Sequence, residues 1–298
     1  MNEPQLTVVV AIEDSAANLG ETLAHLAPAA HPQCEFIVCA ADRALLRDVP
    51  ADAAPALRTM VCAAGSHVPQ MWRDGIVAAR APWVALLSAH VVPTSGWLDA
   101  LLALQPAADL AGVGGWFAQP AGARARDWAV YLLRYAAFSQ PVDDAMVSHI
   151  AADNAVYRRA AVLACADLVE RGFWEVEYHV RFRAQGLWLA LKRELEVTHV
   201  NRYAARSFAQ QRRQHGFAFG SDRARRVGRA RALLLLVMAP LAPAVLLAKV
   251  LSRARRFRLL GRTPWAAYPW LVWFVGHWCW GEARGTLSAL MRTADART

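Results

Sequence analysis

Ala81-Pro-Trp-Val-Ala-Leu-Leu-Ser-Ala-His-Val-Val-Pro-Thr-Ser-Gly-Trp97 is the stretch that decides the fold. An apolar strand over 83–87 runs into the polar tripeptide Ser88-Ala89-His90 and a turn, and a helical pattern follows over 97–104. A buried strand that delivers a short polar motif to its carboxyl end and then hands over to a helix is the repeating unit of an α/β sheet. Hard divalent ions prefer oxygen ligands such as paired carboxylates, and this tripeptide offers one imidazole and one hydroxyl in their place.

Working outward, 6–12 is a β-branched run, and 15–26 repeats apolar residues at helical spacing (Ala17, Leu19, Leu23, Leu26) after Asp14 as a possible cap. Residues 35–40 give a second strand, 42–47 a short helix, 58–63 a third strand and 68–80 a helix leading into the opening stretch. Strands separated by helices at such intervals predict a mostly parallel sheet with helices on both faces. After Asp109 the alternation is lost. Gly112-Val-Gly-Gly115 reads as a turn or a close backbone approach, 127–138, 160–170 and 175–185 as helices, and 187–191 and 196–200 as two short strands. The glycines form no dinucleotide fingerprint, and no phosphate-loop lysine follows them.

The net charge of +9 conceals a division: residues 1–204 carry −5, whereas 205–262 carry +13. The basic segment flanks two apolar stretches, 232–251 and 264–280, and five of the 12 tryptophans lie between Trp265 and Trp280. Basic, apolar and Trp-rich together point to an anionic membrane surface rather than to nucleic acid. A 20-residue helix over 232–251 is just long enough to span, but Pro240 and Pro243 kink it and basic clusters lie on both sides. In-plane or re-entrant helices therefore fit better. The five cysteines, odd in number and set in apolar runs, read as buried thiols of a reducing cytoplasm, and no export signal is visible. The domains expected are 1–220, an α/β body, and 221–298, a basic helical tail.

Taken in order, several segments resemble the family 2 glycosyltransferases of GT-A fold. Val8-Val-Val-Ala-Ile-Glu-Asp-Ser-Ala-Ala-Asn-Leu19 is similar to that family's first strand and helix, and Glu35-Phe-Ile-Val-Cys-Ala40 to its second strand. Met71-Trp-Arg-Asp-Gly-Ile-Val-Ala-Ala-Arg80 resembles its Ala-Arg-Asn-x-Gly helix, and Pro93 with Gly96-Trp-Leu98 its Pro-x-Pro-Gly-Trp-Leu. Asp153-Asn-Ala-Val-Tyr-Arg-Arg159, the helix ending Arg181 to Gly186, and Val197-Thr-His-Val-Asn-Arg-Tyr203 with the basic stretch after it continue the series. The Asp-x-Asp motif is degenerate: its two carboxylates are Ser88 and His90 here.

The resemblance implies an inverting transfer of a sugar from a nucleotide sugar to a membrane-proximal acceptor, of which a lipid-linked one is an example, at the cytoplasmic face of the cell membrane. Counting back eleven residues from Gly186 puts the catalytic carboxylate on Glu175, with Glu177 as the neighbouring candidate. Glu13, Asp42, Arg73, Ser88, Arg212 and Arg213, with Arg206 nearby, become candidates for the nucleotide sugar, and Asn154 and Trp174 for the acceptor side. His90 and His199 become candidate metal ligands, which favours Mn over Mg because imidazole suits transition metals. The arginines offer a metal-free alternative through bidentate phosphate binding. The rival function is a non-catalytic GT-A-like module that binds a glycan, a lipid head group or a partner enzyme.

Overall fold

A computed structural model describes residues 3–47, 49, 56–104, 107–119, 122–200 and 204–295, so residues 201–203 of the resembling segment lie outside it. The elements in order are β1 (Leu6–Ile12), α1 (Leu19–Leu26), β2 (Cys34–Ala40), β3 (Leu57–Val61), α2 (Val68–Ala78), β4 (Trp83–Ser88), β5 (Val91–Pro93), α3 (Trp97–Leu102), β6 (Leu110–Ala118) and α4 (Ala125–Tyr135). There follow β7 (Asp144–Val147), β8 (Asn154–Arg158), α5 (Arg159–Leu163), α6 (Ala166–Val169), α7 (Glu175–Ala184), β9 (Trp188–His199), α8 (Ala205–Val227), α9 (Arg229–Val237), α10 (Ala242–Arg256) and α11 (Ala267–Asp295). The chain divides into two compact units, Met1–Pro120 with Phe138–Val200, and Ala121–Ala137 with Asn201–Thr298. The boundary drawn from sequence at residue 220 falls inside α8, which belongs wholly to the second unit.

The first unit is an α/β sheet flanked by helices, in strand order β3-β2-β1-β4-β8-β6-β9-β5, with β7 on β9. β3, β2, β1 and β4 run parallel, and β1 and β2 are buried along their whole length, as strands covered on both faces must be. Antiparallel pairing enters the sheet at β8, which lies between β4 and β6. The glycine run expected as a turn or close approach is instead the middle of strand β6, and the approach is real. A Cβ on Gly115 would overlap the carbonyl oxygen of Leu195. The two short strands expected after α7 are one strand, β9, whose register against β6 shifts between Gly114 and Trp116. The helix expected over 160–170 is broken at Ala164–Cys165 into α5 and α6.

At the amino ends of the parallel strands, Glu35 is 1% exposed and accepts from the Thr7 hydroxyl (2.8 Å), the Arg80 backbone N–H (2.9 Å) and the guanidinium groups of Arg80 (2.9 Å) and Arg58 (3.2 Å). Burial pushes this carboxyl up, but the Arg80 N–H, the Thr7 hydroxyl and the two cations together outweigh burial and hold it below the usual range. A carboxyl with a lowered folded pKa contributes stability above its unfolded pKa, and that stability is lost as pH falls through the folded value. Glu35→Gln should therefore destabilise the protein by roughly 2 kcal/mol at neutral pH. That is less than the 3–5 kcal/mol of a fully enclosed pair, since both guanidinium groups reach solvent. Urea denaturation should show the difference shrinking with acidification, and a difference unchanged down to acid pH would contradict the role.

The second unit is helical. The bent pair Arg229–Val237 and Ala239–Arg256 turns by 51°, with Pro240 in the 3-10 turn Ala239–Leu241 between α9 and α10. Among the described residues no single helix is long and apolar enough to cross a membrane, although this bent pair passes on length and composition together. α8 and α11 cross closely through a glycine quartet. A Cβ on Gly216, Gly220, Gly281 or Gly285 would overlap a carbonyl oxygen of the facing helix, those of Trp278, Glu282, Arg213 and Phe217 respectively. All five cysteines are buried and unbridged.

Candidate active site

The carboxyl ends of β1 and β4 lie side by side, and this places Glu13-Asp14 next to Ser88-Ala89-His90. The tripeptide is fixed from several directions. Ala89 N–H donates to Ala11 O (2.9 Å), Val200 N–H donates to His90 O (2.8 Å), and the Asn18 amide donates to both Ala89 O and Val200 O (3.3 Å each). His90 is buried, and its Nε2 stands 3.0 Å from Oδ1 of Asp14. Asp14 was expected as the α1 cap; the helix begins later, after Asn18, and the carboxylate is paired with His90 instead. His199 on β9 is buried and is the backbone partner of Val91, so the backbone at His199 runs beside the motif from a position 109 residues further along the chain.

A second carboxylate lies beside the motif. Asp153, just before β8, is 4% exposed, and its Oδ2 accepts a long hydrogen bond from Ser88 Oγ (3.5 Å). The Tyr157 hydroxyl, which shares a hydrogen bond with His179 Nε2 (3.0 Å), titrates well above its ordinary value. Burial is the main cause, followed by the charges of Glu175 and Asp153. One buried hydroxyl thus feels both carboxylates. His179 is pushed down to about 3 by burial, with His149 and Arg183 adding, so it is neutral at physiological pH.

Glu175 opens α7, and Trp174 holds the N-cap position, its indole N–H donating to Arg171 O (3.2 Å). Glu177 is engaged by Arg171 at 2.5 Å. Both glutamates stand in the first turn of α7, where the macrodipole favours negative charge, and Glu177 is in addition tied to a loop arginine.

Other expected site residues have different work. Asn154, expected toward the acceptor, is completely buried, donating to Trp116 O (3.0 Å) and Leu195 O (2.8 Å) and accepting from the Trp97 indole (2.8 Å). With its amide oxygen and nitrogen occupied inside the protein, it clamps α3, β6 and β9 together and presents nothing to an acceptor. Arg73, expected at the nucleotide, braces α2 against α6 by donating to Val169 O (3.2 Å) and Glu170 O (3.3 Å) while pairing with Asp74. Asp42 caps the 3-10 turn Arg43–Leu46 by accepting from Ala44 N–H (2.8 Å).

Glu13 accepts from His67 Nδ1 at 2.6 Å, and this hydrogen bond raises the imidazole pKa against the opposing effect of burial, the carboxylate charge adding to it. Arg206, Arg212 and Arg213 lie on α8 in the second unit, where Arg212 donates to His215 Nδ1 (3.1 Å) and stacks over Phe208 and Trp278. Sequence reasoning missed Asp14, Asp153 and His67 as members of this site. Only Asp153 had left a signal, as the acidic residue opening the segment that continues into β8.

No family model matches the chain, and no curated protein matches it. Many solved structures are similar in fold, among them the following two. The mannosyltransferase PcManGT from Pyrobaculum calidifontis in complex with GDP-Man and Mn2+ has a TM-score of 0.56 at 14% identity, over 96% of this chain and 88% of that one. S. aureus TarS 1-349 in complex with UDP-GlcNAc has a TM-score of 0.50 at 11% identity, over 98% and 92%. The chain thus has a GT-A-like glycosyltransferase fold followed by a helical region.

Proposed function

We propose that the protein is a glycosyltransferase that moves a sugar, with inversion, from a nucleotide-sugar donor to an acceptor, such as a lipid-linked one, at the cytoplasmic face of the cell membrane. The observation that carries the reading is the fold likeness along nearly the whole chain to two structures holding nucleotide sugars. It is joined by a polar cluster at the carboxyl ends of β1 and β4, where ligands of open α/β sheets bind. Glu175 takes the proton of the acceptor hydroxyl, and Trp174 beside it borders the acceptor. Ser88 faces the donor. The basic, Trp-rich helices of the second unit attach the protein to anionic lipid.

The donor set suits a transition metal. Two ligands at right angles with bonds of about 2.1 Å lie about 3 Å apart, and His90 Nε2 and Asp14 Oδ1 are separated by 3.0 Å. His90 and Asp14 would hold the ion, which when bound would neutralise charge on the departing diphosphate. In calorimetry with a nucleoside diphosphate, Mn(II) should bind and Mg(II) should do little. His90→Ala and Asp14→Ala should each weaken Mn(II) at least about tenfold. Unchanged Mn(II) affinity in both variants would show that this pair is not a ligand set.

The rival reading, a non-catalytic GT-A-like binding module, draws on the missing Asp-x-Asp carboxylates. Thermal shifts across a panel of nucleotide sugars, with and without Mn(II), test the donor assignment. Stabilisation by one nucleotide sugar is the expected result, and no shift with any of them would favour the module.

A further inference from the structure

In the second unit, Trp273, His277, Trp280 and Arg284 recur at spacings of four, three and four along one face of α11, and with Val272 and Arg213 of α8 they line an open groove of about 470 Å³. Its walls are mostly apolar and wet: Val272 is 53% exposed and Trp280 60%. Arg213 and Arg284 at its border have no acidic partner among the described residues, and Glu282, the acid nearest to Arg284 in sequence, is paired with Arg223 at 2.6 Å. The Trp273 ring stands edge-on to His277 at 5.0 Å.

We infer that this groove binds one anionic membrane lipid, with its phosphate between Arg213 and Arg284 and its hydrocarbon chain along Val272, Trp273 and Trp280. Guanidinium forks match phosphate oxygens bidentately, and indoles take an apolar chain on one side and a wet headgroup on the other. A soluble anion would leave the apolar walls in water, and a neutral lipid would leave two cations without a partner, so the chemistry selects an amphiphile with a phosphate. His277 does not add charge, because burial and then the neighbouring Arg213 hold its pKa below the ordinary value. The inference rests on the membrane part of the proposal above, and it narrows that part from a diffusely basic surface to one site.

The test uses the intact chain with phosphatidylcholine vesicles, plain or containing a minor fraction of phosphatidic acid with brominated chains that quench tryptophan. Saturable quenching that requires phosphatidic acid is expected. Arg213→Gln/Arg284→Gln should weaken it at least about tenfold, as the loss of charge-assisted hydrogen bonds implies. Arg255→Gln/Arg256→Gln, an equal charge loss on α10, should change it little. Gly276→Leu offers an independent check: a Cβ there meets nothing within 4 Å, so the helix keeps its packing while the side chain obstructs the groove. Equal losses from the two arginine pairs would reduce the effect to general electrostatics and overturn the site, as would full competition by inorganic phosphate. Sedimentation with vesicles of both kinds reports membrane attachment separately, so failure of that reading is distinguishable from failure of the groove.

Discussion

Glu175→Gln is expected to lower sugar transfer by about 100- to 10,000-fold while leaving nucleotide-sugar affinity unchanged, because it removes a general base and keeps the size of the side chain. The resemblance selects Glu175 over its neighbour by its offset of eleven residues from Gly186, and Glu177 is held by Arg171 at 2.5 Å. Glu177→Gln should therefore reduce transfer only a few-fold, mainly by loosening the Arg171 loop. If Glu177→Gln is inactive and Glu175→Gln is within a few-fold of the parent, the roles are reversed.

Gly285→Leu should destabilise the helical unit at or beyond the upper end of the roughly 1–3 kcal/mol that overpacking costs, because its Cβ would collide with the Phe217 backbone carbonyl rather than with a side chain that can rotate away. Leucine is the better helix former by about 0.8 kcal/mol, so a loss reports the collision and not propensity. Gly276→Ala on the same helix is the control, as its Cβ has open space and should be neutral or stabilising by up to about 1 kcal/mol. Urea unfolding of the intact chain measures both. Equal stabilities would mean that α8 and α11 do not depend on the glycine contact.

β1, β2 and β4 were legible because strands covered on both faces are written as continuous apolar runs, and periodicity reports them directly. β6 was not, since Gly112, Gly114 and Gly115 look like turn residues in sequence. They are glycines because Tyr157, Ile150 and the Leu195 carbonyl come too close for side chains. Those neighbours lie tens of residues away, and no local pattern encodes them.

The same limit applies to the site. The position of Ser88-Ala89-His90 at a strand end could be read from its own neighbours, and Glu175 from its offset to Gly186. The pairings of His90 with Asp14 and of Ser88 with Asp153 depend on strand order, which a one-dimensional pattern does not specify. Asp14 was mistaken for a cap because a carboxylate ahead of a helical pattern carries the same signal whether it faces the helix or a neighbouring strand. Asn154 was misplaced for the converse reason: its polar side chain reads as surface until the clamp on Trp97, Trp116 and Leu195 is seen.

The central claim is turnover of a nucleotide sugar at the carboxyl ends of β1 and β4, with Glu175 as the base. Release of nucleoside diphosphate by the purified, lipid-supplied protein, followed across a panel of nucleotide sugars with Mn(II) present, addresses it most directly. The account predicts release from one donor, greatly reduced in Glu175→Gln and little changed in Glu177→Gln. Absence of release from every donor, or release that Glu175→Gln leaves intact, would contradict it.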